Sequence, residues 1–383
     1  MTYTLYGMAA SLYTARARSY MRTNAVPFVE VKAGGEEFVG QVVPLIGRWI
    51  IPVIKTPEGA IIQDGVDIID HLDGAGFSKW AIYPEAPALL VVAHLFELFG
   101  SHGLLRPAMH YRWNFDAQNL AFLRNGFRDV LPSGLPAEAE DAVFEQASGR
   151  MRQAAVAFGV TPETYTLVEE RYRLFLALFE QHLRAHPFIL GGHPTIADYG
   201  MIGAMHAHLG RDPVPLHLMQ TTAPNVFRWV ERMTMTESFV DESFARAAGE
   251  LFDPDALPET LLALMRFVAE DYLIELAAHV ERANAWLADQ DSAALDSAFD
   301  AHEQAKVLGV APFDWHGARI ATVVLPYRFY LLQRLQEAHV ATPEAERQKI
   351  ETLFEETGLR EILALRTNRR VERIDNCEVW GQT

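Results

Sequence analysis

The sequence predicts an α/β domain, then an all-helical domain, then a further helical extension. Three observations predict it. Up to about Phe77, short apolar runs and helix formers follow one another in a β-α-β then β-β-α order. From about Pro87, apolar residues recur three and four apart, the repeat of one helix face. Beyond residue 250, amphipathic runs at 258–289, 316–338 and 343–365 continue the helical pattern. The expected division is therefore 1–78, 85–248 and 250–383.

Each element can be justified in order. Tyr3-Thr4-Leu5-Tyr6-Gly7 reads as a strand ended by glycine. Ser11 is a plausible N-cap for a helix to Asn24 containing Ala15, Ala17, Arg18, Met21 and Arg22. A second strand, 26–31, has Pro27 at its entry. The run Ile51-Pro52-Val53-Ile54 is an apolar strand opened by a proline, which must stay out of the ladder interior. A cis peptide at Ile51-Pro52 is one solution. After a turn at 56–59 comes another apolar strand. Asp64-Gly65 then stands where the stripe of Ile68, Ile69 and Leu72 begins. Backbone amides at such a helix start can hold a carboxylate.

Gly74-Ala75-Gly76, Pro84 and Pro87 look like a linker. Residues 88–112 are apolar at helical spacing, and Tyr172, Phe175, Leu176, Phe179 and Leu183 mark another helix. Between them, 114–159 is long for a connection and is expected to hold its own helices, with 138–158 a candidate. Thr195 and Asp198 form a capping pattern before an apolar helix. In the extension, Pro326 is expected to bend or divide the middle run.

Composition limits the function. Half of the 383 residues are hydrophobic, as in globular chains. A net charge of −17 argues against binding a phosphate backbone, which needs a basic face. Cys377 is the sole cysteine, which excludes internal disulfides and cysteine metal clusters and fits a cytosolic setting. No signal peptide is visible. The longest apolar stretch, near 88–100, contains His94 and Glu97 and is too short to span a bilayer. His206 and His208 point to different helix faces, and His102 and His110 lack zinc spacing, so no metal site is expected.

The stretch from Ile51 to Leu72 resembles the glutathione-binding half of glutathione S-transferases, a thioredoxin-like domain with a strand entered through cis-proline. Pro52 matches that proline and Asp64 the acidic residue before the next helix. Gly65 stands where the family has serine or threonine, keeping the amide and losing the hydroxyl. The Thr195/Asp198 cap and the helix at 225–233 resemble the family's second, all-helical domain, so the resemblance covers about 1–245.

The resemblance implies glutathione as co-substrate. Ser11, seven residues before Arg18, falls at the catalytic position of serine- and cysteine-type members; the plain alternative is an N-cap that touches no substrate. Tyr6 lies one residue from where tyrosine-type members keep their hydroxyl. Ser11-Leu12-Tyr13-Thr14 replaces a redox Cys-x-x-Cys, which excludes disulfide exchange by this protein. The Ile51 backbone would meet the cysteinyl part, Asp64 the γ-glutamyl ammonium and the Gly65 amide its carboxylate. Gln63 takes the polar role if the alignment slips by one, and Arg48 and Trp49 are candidates for the glycine carboxylate. Trp113, Phe115, Phe122 and Phe127 either line an apolar pocket or are core. The implied activity is thiolate attack on a small apolar electrophile, in a cytoplasmic homodimer paired through the face joining the first two domains. The alternative is a non-catalytic scaffold or protein-interaction module.

Overall fold

Leu5 and Tyr6 are adjacent on one strand and so face opposite sides of their sheet, and the first domain is built on that alternation. The computed structural model describes residues 2–131, 134–236, 249–291 and 307–381, with 244 and 295 as single positions. The expected boundary at residue 248 lies outside the described residues. Strands β1 (Tyr3–Gly7), β2 (Phe28–Lys32), β3 (Val53–Lys55) and β4 (Ile61–Gln63) lie in the order β2-β1-β3-β4. β2 runs parallel to β1, while β3 is antiparallel to both β1 and β4, with Leu5 opposite Ile54 and Ile54 opposite Ile62.

Leu5 and Ile54 pack against helices α1 (Leu12–Thr23) and α3 (Gly65–Gly74) through Ala17, Tyr20, Val66 and Ile69. Tyr6 and Val53 face the other way, against Phe38, Val42 and Ile46 around the short helix α2 (Val43–Ile46). This is the thioredoxin-like arrangement.

The second domain is helical. α4 (Pro87–Leu98) passes through a π turn into α5 (Leu105–Trp113), followed by α6 (Asp116–Phe127), α7 (Ala137–Ala157), α8 (Tyr165–Ala185), α9 (Ile196–Ala207), α10 (Pro213–Thr222) and α11 (Pro224–Arg232). Thus the long 114–159 connection holds α6 and α7. The continuous run Pro87–Trp113 is long and apolar enough to cross a membrane, but 83% of its apolar window is buried inside the protein. Two glycines bring α4 and α9 together. A Cβ on Gly100 would lie 2.6 Å from the Gly200 carbonyl carbon, and one on Gly200 2.4 Å from the Glu97 Cα. Thr195 and Asp198 form the capping box of α9. The Asp198 carboxylate accepts from Thr195 N (3.0 Å), Ile189 N (3.1 Å) and Trp229 Nε1 (2.9 Å), which ties three segments to one buried group.

The extension mixes helices with two hairpins. α12 (Glu259–Val268) and α13 (Ile274–Ala288) precede β5 (Val310–Trp315) and β6 (Ala318–Val323). After these come α14 (Tyr327–Val340), α15 (Glu344–Glu356), β7 (Val371–Ile374) and β8 (Cys377–Trp380). The expected helical run 316–338 therefore divides. Ala311, Phe313 and Trp315 turn inward while Val310, Pro312 and Asp314 stay outside, the period of a strand. His316 and Gly317 form the connecting turn at φ 49° and 85°, the positive values that a tight hairpin needs. Pro326 caps the start of α14. α14 lies along α4, and Leu331, Leu332 and Leu335 join the same buried cluster as Leu5 and Leu95. All three parts share one core.

Candidate functional site

Ser11 caps α1 in extended conformation (φ −87°, ψ 122°), and its Oγ accepts from Thr14 N at 3.1 Å. A hydroxyl that accepts in this way keeps its own proton to donate elsewhere. The loop before it is held from both sides. Ser11 N donates to Met8 O at 3.2 Å, and Arg112 of α5 donates to Ala10 O at 2.8 Å. Arg112 is itself fixed by a bidentate pair with buried Asp212 (2.7 and 2.8 Å). The second domain thus sets the position of the cap on the first.

Across from this loop, the Ile51-Pro52 peptide is cis, and Pro52 O accepts from Asp64 N at 3.3 Å. Asp64 has φ 94° and ψ 144°, a conformation costing a non-glycine residue about 1–3 kcal/mol. Its Oδ1 accepts from Val66 N at 2.8 Å, capping α3. Such strain is maintained only where the surroundings over-determine it, and it concentrates at ligand sites. Gly65 opens α3. A Cβ there would meet Arg16 Cδ at 3.2 Å and Tyr13 O at 3.5 Å, so the beginnings of α1 and α3 are in contact. A side chain in place of Gly65 would press on Arg16 Cδ, which must shift by a few tenths of an ångström to admit it.

The Arg16 guanidinium donates to Ser101 Oγ at 3.2 Å and pairs with Glu97. Glu97 has no exposed surface and also meets His94 Nδ1 (2.6 Å) and Arg334 Nε (3.8 Å). Burial alone would push its pKa up. Arg16, Arg334 and His94 outweigh that and hold the carboxyl far below the usual carboxylate range.

The extension meets the same end of the site. Asp64, Asp67 and Asp70 form a stripe on α3 at three-residue spacing. Tyr327 Oη donates to Asp64 Oδ1 at 2.7 Å, and Tyr330 Oη to Asp67 Oδ1 at 3.4 Å. Arg334 donates to Asp70 Oδ2 at 2.7 Å. From β7, Arg373 donates to Asp67 Oδ2 (2.7 Å), Gln63 O (3.2 Å) and Gln63 Oε1 (2.8 Å). At the hairpin turn, Asn376 Oδ1 accepts from Gln63 N at 2.8 Å. Burial, then the nearby Asp64, raises the Tyr327 phenol well above its ordinary value, so it stays a proton donor. Burial also raises Asp67, against the pull of Arg373, with Asp64 and Asp70 adding to the rise.

Of the candidate residues, Ser11, Ile51, Pro52, Gln63, Asp64 and Gly65 stand at or beside the α1 and α3 starts. Arg48 joins Gln63 to the extension, donating to Gln63 Oε1 (3.4 Å), Glu378 Oε2 (3.2 Å) and Asn376 O (3.1 Å). Trp49 is 48% exposed, its ring edge-on to Phe38 at 6.0 Å. Tyr6 is fully buried in the Phe38 cluster, on the sheet face opposite α1; burial first, then Glu37, pushes its phenol up to about 12. Trp113 and Phe127 are core, Phe115 packs against the main core, and Phe122 lies under the Arg211 guanidinium.

Sequence reasoning missed Arg16, Glu97, Tyr327, Arg373 and Asn376 as neighbours of the site. One signal was available for Glu97, a charge within an otherwise apolar run. For Tyr327, Tyr330 and Arg334 it was their helical spacing, which puts them on one face as the spacing of Asp64, Asp67 and Asp70 does.

Residues 5–78 match the family model for the glutathione S-transferase N-terminal domain, and residues 162–232 that for the glutathione S-transferase C-terminal domain. No curated protein matches the chain in sequence. Among solved structures, a glutathione transferase from Phanerochaete chrysosporium is 15% identical, with 63% of this chain and 99% of that chain covered at a TM-score of 0.42. The beta-etherase LigF from Sphingobium sp. strain SYK-6 is 13% identical, with 64% and 98% covered at 0.44. A glutathione S-transferase of Ceriporiopsis subvermispora, solved in complex with glutathione, is 18% identical, with 63% and 99% covered at 0.40. The first domain and the later helices of the second thus carry, in order, the two domains of the glutathione S-transferase family, over residues 5–78 and 162–232.

Proposed function

We propose that this chain is a glutathione-dependent transferase in which Ser11 holds the glutathione thiolate for attack on an electrophile. The observation that carries this reading is the meeting of two helix starts: the Ser11 cap of α1, and the strained Asp64 with Gly65 at α3. The α3 amides would receive the γ-glutamyl carboxylate, Asp64 its ammonium, and the Ile51 backbone the cysteinyl part in the manner of an added strand. A free thiol titrates at about 8.5 and is only a few per cent ionised at neutral pH. The Ser11 hydroxyl donating to sulfur, with the α1 amides behind it, favours the anion. The thiolate then forms the new bond to the electrophile, and the displaced group leaves with its electron pair. Addition without displacement uses the same site.

A second reading is a non-catalytic scaffold. It is favoured by the extension's hold on Gln63 and Asp64, through Tyr327, Arg373 and Asn376. The enzyme reading assigns those contacts to the wall at the γ-glutamyl end of the site. It also assigns the extension the place of a second copy. α14 bridges α3 and α4 across the joint where family members commonly pair, so the intact chain is proposed to be a monomer, as sedimentation would report.

The discriminating experiment follows the ultraviolet absorbance of the bound thiolate against pH, in the wild type and in Ser11→Ala. The enzyme reading expects the bound thiol to titrate below its free value, and expects that shift to shrink in Ser11→Ala. An unshifted thiol in the wild type would remove the catalytic role and leave the scaffold.

A further inference from the structure

One residue after Ser11 begins the wall of a narrow crevice between the start of α1, the π turn after α4 and the middle of α9. Its volume is about 20 Å³, room for one water-sized group. Backbone contacts fix that width. A Cβ on Gly203 would lie 2.9 Å from Leu12 O, and Gly100 already meets Gly200 across α4 and α9. The crevice widens only if α1 or α4 parts from α9.

The polar side chains lining it are Tyr13, Arg16 and Ser101, and among the described residues that line it none is a carboxylate. Arg16 is 5% exposed, and its Nε has no hydrogen-bond partner. A guanidinium only donates, so this is a buried donor left without an acceptor, which is costly. Ser101 Oγ accepts from Arg16 at 3.2 Å and keeps its own proton to donate. Tyr13 is 42% exposed, yet desolvation leads the rise of its phenol pKa, with Asp64 adding to it and Arg328 opposing. A group both accessible and desolvated stands on the wall of a cleft. It stays protonated at neutral pH, a third donor.

Three donors around a one-atom space fit a terminal oxygen. An ether oxygen carries two substituents and needs more room. We propose that this crevice receives the carbonyl oxygen of the electrophile, with Arg16, Ser101 and Tyr13 as its donors, and that the second substrate is an α,β-unsaturated carbonyl compound. The assignment rests on the transferase reading above. The thiolate sulfur bonds to the β-carbon, and the alkene electron pair shifts to give an enolate with its charge on the oxygen. The proton released when the thiol ionised is matched by one taken from solvent at the α-carbon. Donors fixed where that charge develops favour the transition state over the ground state.

The test uses the full chain with Ser101→Ala and Tyr13→Phe, because Arg16 also carries the buried pair with Glu97. Circular dichroism checks that both variants fold. At saturating glutathione, kcat is measured for 4-phenylbut-3-en-2-one and for benzyl chloride, which has no oxygen. The ratio of the two is expected to fall about tenfold or more in each variant, less than for a lone oxyanion donor because the others remain. A second readout needs no thiol: the infrared carbonyl stretch of 4-phenylbutan-2-one, labelled with carbon-13 at the carbonyl, bound to the chain without glutathione. The stretch should be lower in the wild type than in either variant. No binding of the ketone, an equal stretch in folded variants, or an unchanged ratio would overturn the proposal. A lowered stretch without any turnover would keep the crevice as a carbonyl site and remove the transferase reading. Turnover of both electrophiles at an unchanged ratio would keep the transferase and remove the crevice from it.

Discussion

Arg16 and Gly65 meet at the start of α3. The Arg16 Cδ stands 3.2 Å from the point where a side chain at Gly65 would begin. Gly65→Ser would press on the flexible Cδ rather than on backbone, so it should fold at a cost of about 1 kcal/mol, at the low end for overpacking. By adding a donor it should tighten glutathione; urea unfolding and a glutathione titration check the two halves. Ser11→Ala should cost about 1 kcal/mol through loss of the N-cap. In turnover it should cost about a hundredfold, since one donor to a developing or held anion contributes on that scale. A mere cap would show only the first effect. Ser11, Pro52, Asp64 and Gly65 were legible in the sequence because each acts on its own backbone or on the next turn. Arg16 was not, because its partners Glu97 and Ser101 lie 81 and 85 residues away.

At the scale of elements, the cap of α9 was legible for the same local reason. Asp198 accepts from the α9 start, the Ile189 amide and the Trp229 indole, so removing it orphans three buried donors. Asp198→Ala should destabilise the protein by about 2–4 kcal/mol, combining a lost cap with unsatisfied buried groups. The carboxyl is also a pH probe. Burial, against its donors, raises its pKa to about 6, above the unfolded value of about 3.9. Its contribution to stability is therefore full below about pH 4 and lost as the pH rises through about 6. Thermal midpoints across that window should fall in the wild type and lose this component in Asp198→Asn. The hairpin at Val310–Val323 was missed because its second strand was read into the helical run 316–338 and its first was left unassigned. The inward Ala311, Phe313 and Trp315 follow a period of two. That Asp64, Asp67 and Asp70 share one helix face, and Tyr327, Tyr330 and Arg334 another, was visible in the sequence. That these two faces meet depends on the tertiary fold.

For the whole molecule, Glu97 is the point where the three parts meet: Arg16 from the first domain, Glu97 from the second, Arg334 from the extension. Removing the charge leaves two buried guanidinium groups facing a neutral amide. Glu97→Gln should therefore cost about 3–5 kcal/mol, as breaking a buried pair does. Its folded pKa lies below the unfolded value of about 4.3, so its stabilisation is present above that pH and lost as the pH falls further. Acid unfolding should accordingly begin at higher pH once this carboxylate is gone from neighbouring Arg16 and Arg334. The extension cannot be treated as an appendage, because α14 shares the core of α4 through Leu331 and Leu335. Its helices were legible from amphipathic runs, but its place against α3 was not, since that contact joins residues more than 260 positions apart.

The most direct test of the account is calorimetric titration of the intact chain with glutathione, beside Asp64→Ala. The account predicts saturable binding at millimolar concentration or below, weakened at least about tenfold in the variant, as loss of a charged hydrogen-bond partner requires. Absence of binding at millimolar glutathione, or equal affinity in a folded Asp64→Ala, would contradict it.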